Sequence, residues 1–437
     1  MKISIFGVGY VGLTTAACLA NLGHNVICID IDQEKIRLLE EGKAPFFEPG
    51  LPELVAQNRK KNRLHFTTNA AEAVAFGEVI FNCVNTPCNE DGSANLNYVF
   101  AVAKTIGENI KEYKVIVNKS TVPPGTARKT VETIKENCKQ QISFDLVANP
   151  EFLREGDAVR AFNYPDKIVL GGSSDRAFSI MRKVYSGRLR TYLPIVETDW
   201  ETAEVIKYAN NTFLATKISF INEMANICDE MGADIKIVAM ALGLDYRINP
   251  RFLNPGVGYG GSCFPKDVKA LIATANQKGY RAKLFEEVYF ANERQKKVMV
   301  QKIQKVFNND ISGRIFTILG LSFKPKTNDM REAPSIQIIK DLLTLGALVK
   351  AYDPVAAEEA KRIFSSINNI AYCESVEEAA KGSSALLLVT EWDEFRSINF
   401  AEIGKEMEEK IIFDGRNIYE PELIREEGFA YYGIGRK

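Results

Sequence analysis

Cys263 follows two glycines and a serine and precedes Phe264, Pro265, Lys266 and Asp267, within the ten residues GYGGSCFPKD that run from Gly258 to Asp267. Glycines let backbone come close to a ligand, and a lysine three residues beyond a thiol favours its nucleophilic thiolate form. Taken alone, the segment reads rather as a surface bend around a buried, inert cysteine, because free thiols usually pack as small hydrophobes. Other groups capable of chemistry bear on that choice. Lys207 and Asn211 stand four residues apart, which puts them on one face of a helix. The chain has two histidines, His24 and His65, and neither lies in a pattern typical of catalysis, so acid–base work falls to carboxylate, lysine and thiol groups. The eight cysteines stand singly, with no Cys-x-x-Cys pair and no zinc-like spacing, so neither a disulfide framework nor a metal site is expected.

The elements that must position such groups begin at once. KISIF reads as a strand, GVGYVG follows it, LTTAACLANLG reads as a helix closed by Gly23, and NVICID is a second strand ending in Asp30. In that context Gly7 permits a tight turn, Gly9 lets backbone approach a pyrophosphate, and Gly12 lets the helix pack on the sheet. Asp30 is placed to accept both ribose hydroxyls and to repel a 2′-phosphate, which favours NAD over NADP. Further apolar strands in EVIFNCVNTP, KVIVNKSTVPPGT and FDLVANPEF end in polar turns, at the edge where an open parallel sheet binds its ligand. Thr86, Ser120, Thr121 and Glu151 are thereby brought near the cofactor, although each alone could serve as turn chemistry or a helix cap.

From Thr198 the pattern becomes helical. TDWE has the form of a capping box with Thr198 as the cap, and about eight turns without Pro or Gly run from there to Gly232. Apolar residues spread around this helix require cover on more than one side. A second alternation of strands and helices starts near Gly313 without a glycine fingerprint, and Lys324, Lys326, Arg331 and Arg416 fall at its strand ends, where cations meet phosphates. The expected fold is α/β: two Rossmann-like domains with parallel sheets joined by a long central helix. The division is 1–198 for NAD, 199–300 for a helical linker and dimerisation region with the cysteine loop, and 301–437 for a second nucleotide ligand held without the glycine fingerprint.

Lys and Arg number 55 against 56 Asp and Glu, so no whole-chain field attracts nucleic acid or anionic lipid. No apolar run reaches transmembrane length, and the N-terminal residues lack a signal peptide's apolar core, so a cytoplasmic location is expected.

GVGYVG, STVPPGT, NPEFLREG, the Lys207–Asn211 helix, GYGGSCFPKD and SFKPKTNDMRE occur in that order and cover almost the whole chain. Together they resemble the UDP-glucose/GDP-mannose dehydrogenase family, nucleotide-sugar dehydrogenases that oxidise a sugar C6 alcohol to a carboxylate. The Gly-Gly-Ser-Cys-Phe form of the cysteine turn is similar to that of the members acting on UDP-glucose; siblings acting on GDP-mannose or UDP-N-acetyl sugars tend to differ there. The resemblance implies that Cys263 is the nucleophile, with Lys207, Asn211 and Asp267 handling the alkoxide and catalytic water; whether Lys207 or Asp267 is the general base stays open. It assigns Glu151, Glu155 and Thr121 to placing sugar, water or nicotinamide. For NAD it implies Gly7, Val8, Gly9, Tyr10, Val11, Gly12, Asp30, Lys35, Thr86, Ser120, Thr121, Glu155, Lys266 and Arg331. For the UDP-sugar it implies Glu151, Phe152, Leu153, Glu155, Lys207, Asn211, Arg247, Asn254, Gly256, Gly258, Tyr259, Gly260, Phe323, Lys324 and Arg416, with Arg247 reaching across a homodimer built on the central helix.

Overall fold

The computed structural model describes residues 1–186 and 194–436. Two compact units emerge, Met1–Asn210 with Ala273–Lys278, and Asn211–Ile272 with Gly279–Lys437, so that the boundary falls inside the long helix.

The first unit holds an eight-stranded sheet: β1 (Lys2–Phe6), β2 (Asn25–Ile29), β3 (Leu64–Thr67), β4 (Val79–Asn82), β5 (Lys114–Asn118), β6 (Phe144–Ala148), β7 (Ile168–Gly171) and β8 (Ile195–Thr198). Their order is β3-β2-β1-β4-β5-β6-β7-β8, so the winding reverses between β1 and β4 and opens a crevice at the strand ends. The central strands are continuous buried runs, as strands covered by helices on both faces must be, with Ile3, Ile5, Phe81, Val115 and Val117 packed against Leu13 and Leu19. The sheet is parallel up to β6, but β7 pairs antiparallel with it through Ala148 and Gly171, and β8 follows β7. Between β6 and β7 the chain forms only a six-residue helix, Ala158–Asn163, shorter than the usual cover for a parallel crossover.

The second unit carries a six-stranded sheet of β9 (Ile315–Leu319), β10 (Leu348–Tyr352), β11 (Ile370–Tyr372), β12 (Ala385–Leu388), β13 (Ile411–Asp414) and β14 (Ala430–Gly433). Its order, β11-β10-β9-β12-β13-β14, repeats the winding of the first sheet, and every pairing is parallel. Phe316, Ile318, Leu387 and Phe413 fill its core together with Met299, Ile303, Ile338 and Leu342.

The long helix spans Trp200–Met231, 32 residues. Its cap is Asp199 rather than Thr198: Thr202 donates its backbone N–H to Asp199 Oδ1 at 2.7 Å and its hydroxyl to Asp199 Oδ2 at 2.9 Å. A carboxylate both accepts the first-turn N–H and meets the positive end of the helix dipole, while Thr198 remains the last residue of β8. Gly232, at φ +74°, then turns the chain out of the helix, and Ala233 N–H returns to the Cys228 carbonyl. Among the described residues no helix is long and apolar enough to cross a membrane.

Candidate active site

At the first crevice the GVGYVG segment joins β1 to the helix Tyr10–Asn21. Gly7 has φ +94°, and a Cβ on Gly12 would stand 1.9 Å from the Gly7 carbonyl oxygen, so turn and helix can meet only without side chains there. Gly9 is the N-cap and no side chain caps the helix, which leaves its N-terminal N–H groups facing the crevice as an anion site. The Asp30 carboxylate ties this turn to β2, accepting from Val8 N–H at 2.9 Å and Asp32 N–H at 3.0 Å. The cradle and the carboxylate fit the pyrophosphate and ribose of NAD. Tyr10 leaves the turn to donate its phenol to the buried Glu48, which also accepts from Gly156 N–H at 2.7 Å and Ala158 N–H at 2.8 Å. Burial, that hydrogen bond, and the charges of Glu48 and Glu155 push the Tyr10 phenol far up, so it stays a donor. Lys35, in the helix Gln33–Glu40, is half-buried and lies 3.6 Å from Asp32.

The turns after β4 and β5 lock together. Thr86 Oγ1 donates to the Thr121 carbonyl at 2.9 Å and Ser120 Oγ to the Val84 carbonyl at 2.6 Å. Sequence reasoning missed the residue that holds the second of these turns: Glu204, on the long helix, accepts from Gly125 N–H at 2.7 Å and Ala127 N–H at 2.8 Å, at the start of the helix Thr126–Asn137. Burial pushes the Glu204 carboxyl up to about 7 against the pull of those two N–H groups.

One turn further along the same helix, Lys207 Nζ donates to Glu151 Oε1 at 3.0 Å, and both side chains are buried. Burial raises the Glu151 carboxyl, but Lys207, the Leu153 N–H and Lys119 together outweigh it and hold the group below the usual carboxylate range. Phe152 turns its ring to two cations, Lys167 Nζ at 4.4 Å and Lys207 Nζ at 5.3 Å from the centroid. Lys167 is pushed below its ordinary range by burial and by repulsion from Lys207. Beside Glu151 lies a cavity of about 50 Å³ lined by Lys119, Asn149, Phe152, Lys167 and Tyr185, among others.

In the second unit Cys263 is half-buried immediately before the helix Phe264–Gln277, and its carbonyl accepts the Asp267 N–H at 2.8 Å. The thiol therefore sits at the positive end of a helix, 3.5 Å from Ser262 Oγ. Asp267 is 1% exposed and receives Lys266 Nζ on one oxygen at 2.6 Å and Asn211 Nδ2 on the other at 2.7 Å. Proline at the second helical position lacks the N–H that the first turn leaves unpaired in any case.

The glycine loop before Cys263 meets the basic residues of the second sheet. A Cβ on Gly256 would come within 3.1 Å of Arg416 Nη1, and one on Gly261 within 2.8 Å of the Phe323 ring. Gly261 N–H donates to the Arg331 carbonyl at 2.7 Å. Arg416 bonds the Val389 carbonyl and Glu391, Arg331 pairs with Asp329, and Lys324 Nζ lies 5.3 Å from the Phe323 centroid. Lys326 is turned instead to Asp393, at 3.7 Å. Asn254 is exposed at the start of the loop, while Gly256, Gly258, Tyr259 and Gly260 are buried. Arg247 is exposed and bound to Asp245.

Three models of one family match the chain in succession: the NAD binding domain at residues 1–188, the central domain at 201–294 and the UDP binding domain at 317–421 of the UDP-glucose/GDP-mannose dehydrogenase family. The chain belongs to that family. A UDP-glucose 6-dehydrogenase of Bacillus subtilis is 44% identical over 100% of this chain and 93% of its own length. One from Rhizobium meliloti is 43% identical, with 100% of both chains covered. Among solved structures, a UDP-glucose dehydrogenase of Pyrobaculum islandicum superposes with a TM-score of 0.93 at 34% identity, over 100% of this chain and 98% of that one.

Within this nucleotide-sugar dehydrogenase the two Rossmann-like halves use their second-strand aspartates differently. Asp353 follows β10 as Asp30 follows β2, but it is buried and takes six donors: Leu321 N–H, Ser322 N–H, Ser322 Oγ and Trp392 Nε1 on one oxygen, Val355 N–H and Ala356 N–H on the other. A carboxylate so filled has no acceptor left for a ribose. The second half has closed its fingerprint position with its own backbone.

Proposed function

We propose that this chain oxidises UDP-glucose to UDP-glucuronate with NAD, through a covalent adduct on Cys263. The observation that carries the reading is the cysteine turn: a thiol at a helix N-terminus, with a buried aspartate in the first turn bonded by both Lys266 and Asn211. Taking a primary alcohol to an acid removes four electrons and adds one water oxygen. NAD supplies the hydride acceptor, one molecule for each of the two oxidation stages.

The chain's own groups handle the rest. Lys207 and Asn211, one turn apart on a continuous helix, stabilise the oxyanion that develops at C6. Cys263 adds as thiolate to the aldehyde carbon, retains it as a hemithioacetal and then as a thioester, and leaves when water attacks the acyl carbon. Asp267 takes the alcohol proton, since Lys207 already carries its own in the ion pair with Glu151. Asp30 and the Gly7–Gly12 turn hold the dinucleotide, and the Asn254–Gly260 loop with Phe323, Lys324 and Arg416 holds the UDP-sugar. The functional division 1–198, 199–300 and 301–437 is part of this reading and is supported by the three family matches.

The same reading makes the enzyme a cytoplasmic homodimer. Phe213, Phe220 and Ile227 recur every seventh residue on the long helix with 64%, 49% and 39% of their surface exposed, an apolar stripe suited to a second copy. Arg247 would then reach the partner's substrate.

Parallel assays with UDP-glucose, GDP-mannose and UDP-N-acetyl sugars test the assignment. NADH formation many-fold faster with UDP-glucose is expected; a preference for another sugar moves the chain to a sibling activity, and no NADH with any of them marks a binding protein.

A further inference from the structure

Gly256 and Tyr259, in the loop before Cys263, have their backbone groups read by side-chain amides. Gly256 N–H donates to Asn222 Oδ1 at 2.8 Å, and the Gly256 carbonyl accepts from Gln295 Nε2 at 2.7 Å. Tyr259 N–H donates to Asn292 Oδ1 at 2.8 Å, and Asn292 Nδ2 returns to the Tyr259 carbonyl at 3.0 Å. Asn226 Nδ2 in turn fixes Gln295 through its Oε1 at 2.8 Å. Asn222 and Asn226 belong to the helix Trp200–Met231, and Asn292 and Gln295 to the helix Lys283–Val306. Asn222, Asn292 and Gln295 are 2%, 1% and 1% exposed. Between the two clamped residues Gly258 stands at φ +100°, and a Cβ there would lie 3.0 Å from Asn292 Oδ1.

An amide that meets both the N–H and the C=O of one residue imitates a neighbouring strand, and fixes a loop whose own residues belong to no strand. Apolar side chains at these three positions would leave buried backbone groups unpaired, which a well-packed core does not tolerate. A loop so fixed does not have to be ordered when a ligand arrives, so its binding groups carry no entropy cost of assembly.

We infer that Asn222, Asn292 and Gln295 are positioning residues that preset the Asn254–Gly260 loop for the nucleotide sugar. The inference rests on the reading of that loop as the substrate's. The test uses the full enzyme with Asn292→Leu, Gln295→Leu and the milder Asn292→Asp, which keeps the acceptor for Tyr259 N–H and, as the neutral acid that burial favours, an O–H donor for its carbonyl. Hydrogen exchange of the loop without ligand, and KM for UDP-glucose and for NAD, are measured together. Faster exchange in the loop and a KM for UDP-glucose raised roughly tenfold to a hundredfold are expected in the leucine variants, with a smaller rise in Asn292→Asp and KM for NAD unchanged. Unchanged exchange, or a loosened loop with unchanged KM for UDP-glucose, overturns the inference. The underlying reading is checked separately in the wild type: if saturating UDP-glucose gives the loop no added protection, the loop is not the substrate's.

Discussion

Asn211 gives an N–H to Asp267 across 2.7 Å, and both side chains are closed off from solvent. The contact fixes Asp267 in the first turn after Cys263 and orients the amide that the proposed mechanism uses against the alkoxide. Replacing Asn211 with Asp sets two carboxylates at hydrogen-bond distance, and their repulsion makes the pair take up a proton more readily than an isolated carboxyl as pH falls. We expect Asn211→Asp to lose about a hundredfold or more in kcat at neutral pH. Because the protonated pair restores a donor, the ratio of variant to wild-type kcat should rise as pH is lowered; a flat ratio would mean that Asn211 acts only through its shape.

Asp30 serves two ends at once, bracing the glycine turn through Val8 N–H and standing where an NAD ribose would lie. Asp30→Ala should raise KM for NAD roughly tenfold or more and narrow its preference over NADP, since ribose contact and repulsion of a 2′-phosphate vanish together. Steady-state constants for both cofactors decide this, and equal constants before and after would remove Asp30 from the site.

Lys207 and Glu151 form a buried ion pair, so removing either charge strands the other. Lys207→Met and Glu151→Gln should each destabilise the fold by about 3–5 kcal/mol, and their double variant by less than the sum. Glu151 also sets an acid limit: its folded carboxyl is depressed, so its stabilising contribution is complete above the unfolded carboxyl range and is lost as pH falls through the folded value. Chemical denaturation across acidic pH should show that loss in the wild type and not in Glu151→Gln. For kcat, Lys207→Met should fall by orders of magnitude while UDP-glucose affinity changes little.

How much of this was legible in the chain differs from feature to feature. The strands around GVGYVG, the position of Asp30 and the cysteine turn follow from local pattern, because each depends on residues within one turn or one βα unit. The direction of β7 does not, since apolar periodicity is the same for either orientation and only the shortness of the connecting helix hints at it. Thr198 and Asp199 are adjacent helix caps that sequence cannot separate. Lys207, Asn211 and Asp267 were readable through resemblance to a family, whereas Glu204, Asn222, Asn292 and Gln295 were not. Each of these looks like an ordinary polar helix residue until a distant loop presents the backbone groups it binds.

Glu204 supplies a prediction that owes nothing to that resemblance. Glu204→Gln turns one of two acceptors into a donor facing an N–H, and should destabilise the fold by about 1–3 kcal/mol while slowing turnover through the Thr121 turn. The wild-type carboxyl is raised to about 7, so its contribution is greatest below the unfolded carboxyl range and declines as pH rises toward 7. The gap in Tm between wild type and variant should therefore shrink over that interval; a constant gap contradicts the assignment.

The covalent role of Cys263 is the central claim. Wild-type enzyme should form two NADH for each UDP-glucose consumed and release no aldehyde, and Cys263→Ala should still bind both ligands while acid formation collapses. Cys263→Ser supplies a weaker nucleophile and a poorer leaving group, so an ester should build up or turn over slowly. The most direct measurement is intact-protein mass spectrometry of Cys263→Ser after incubation with UDP-glucose and NAD. The account predicts a mass increase equal to the UDP-glucuronyl group, localised to residue 263; an unmodified protein, together with near wild-type UDP-glucuronate formation by Cys263→Ala, would contradict it.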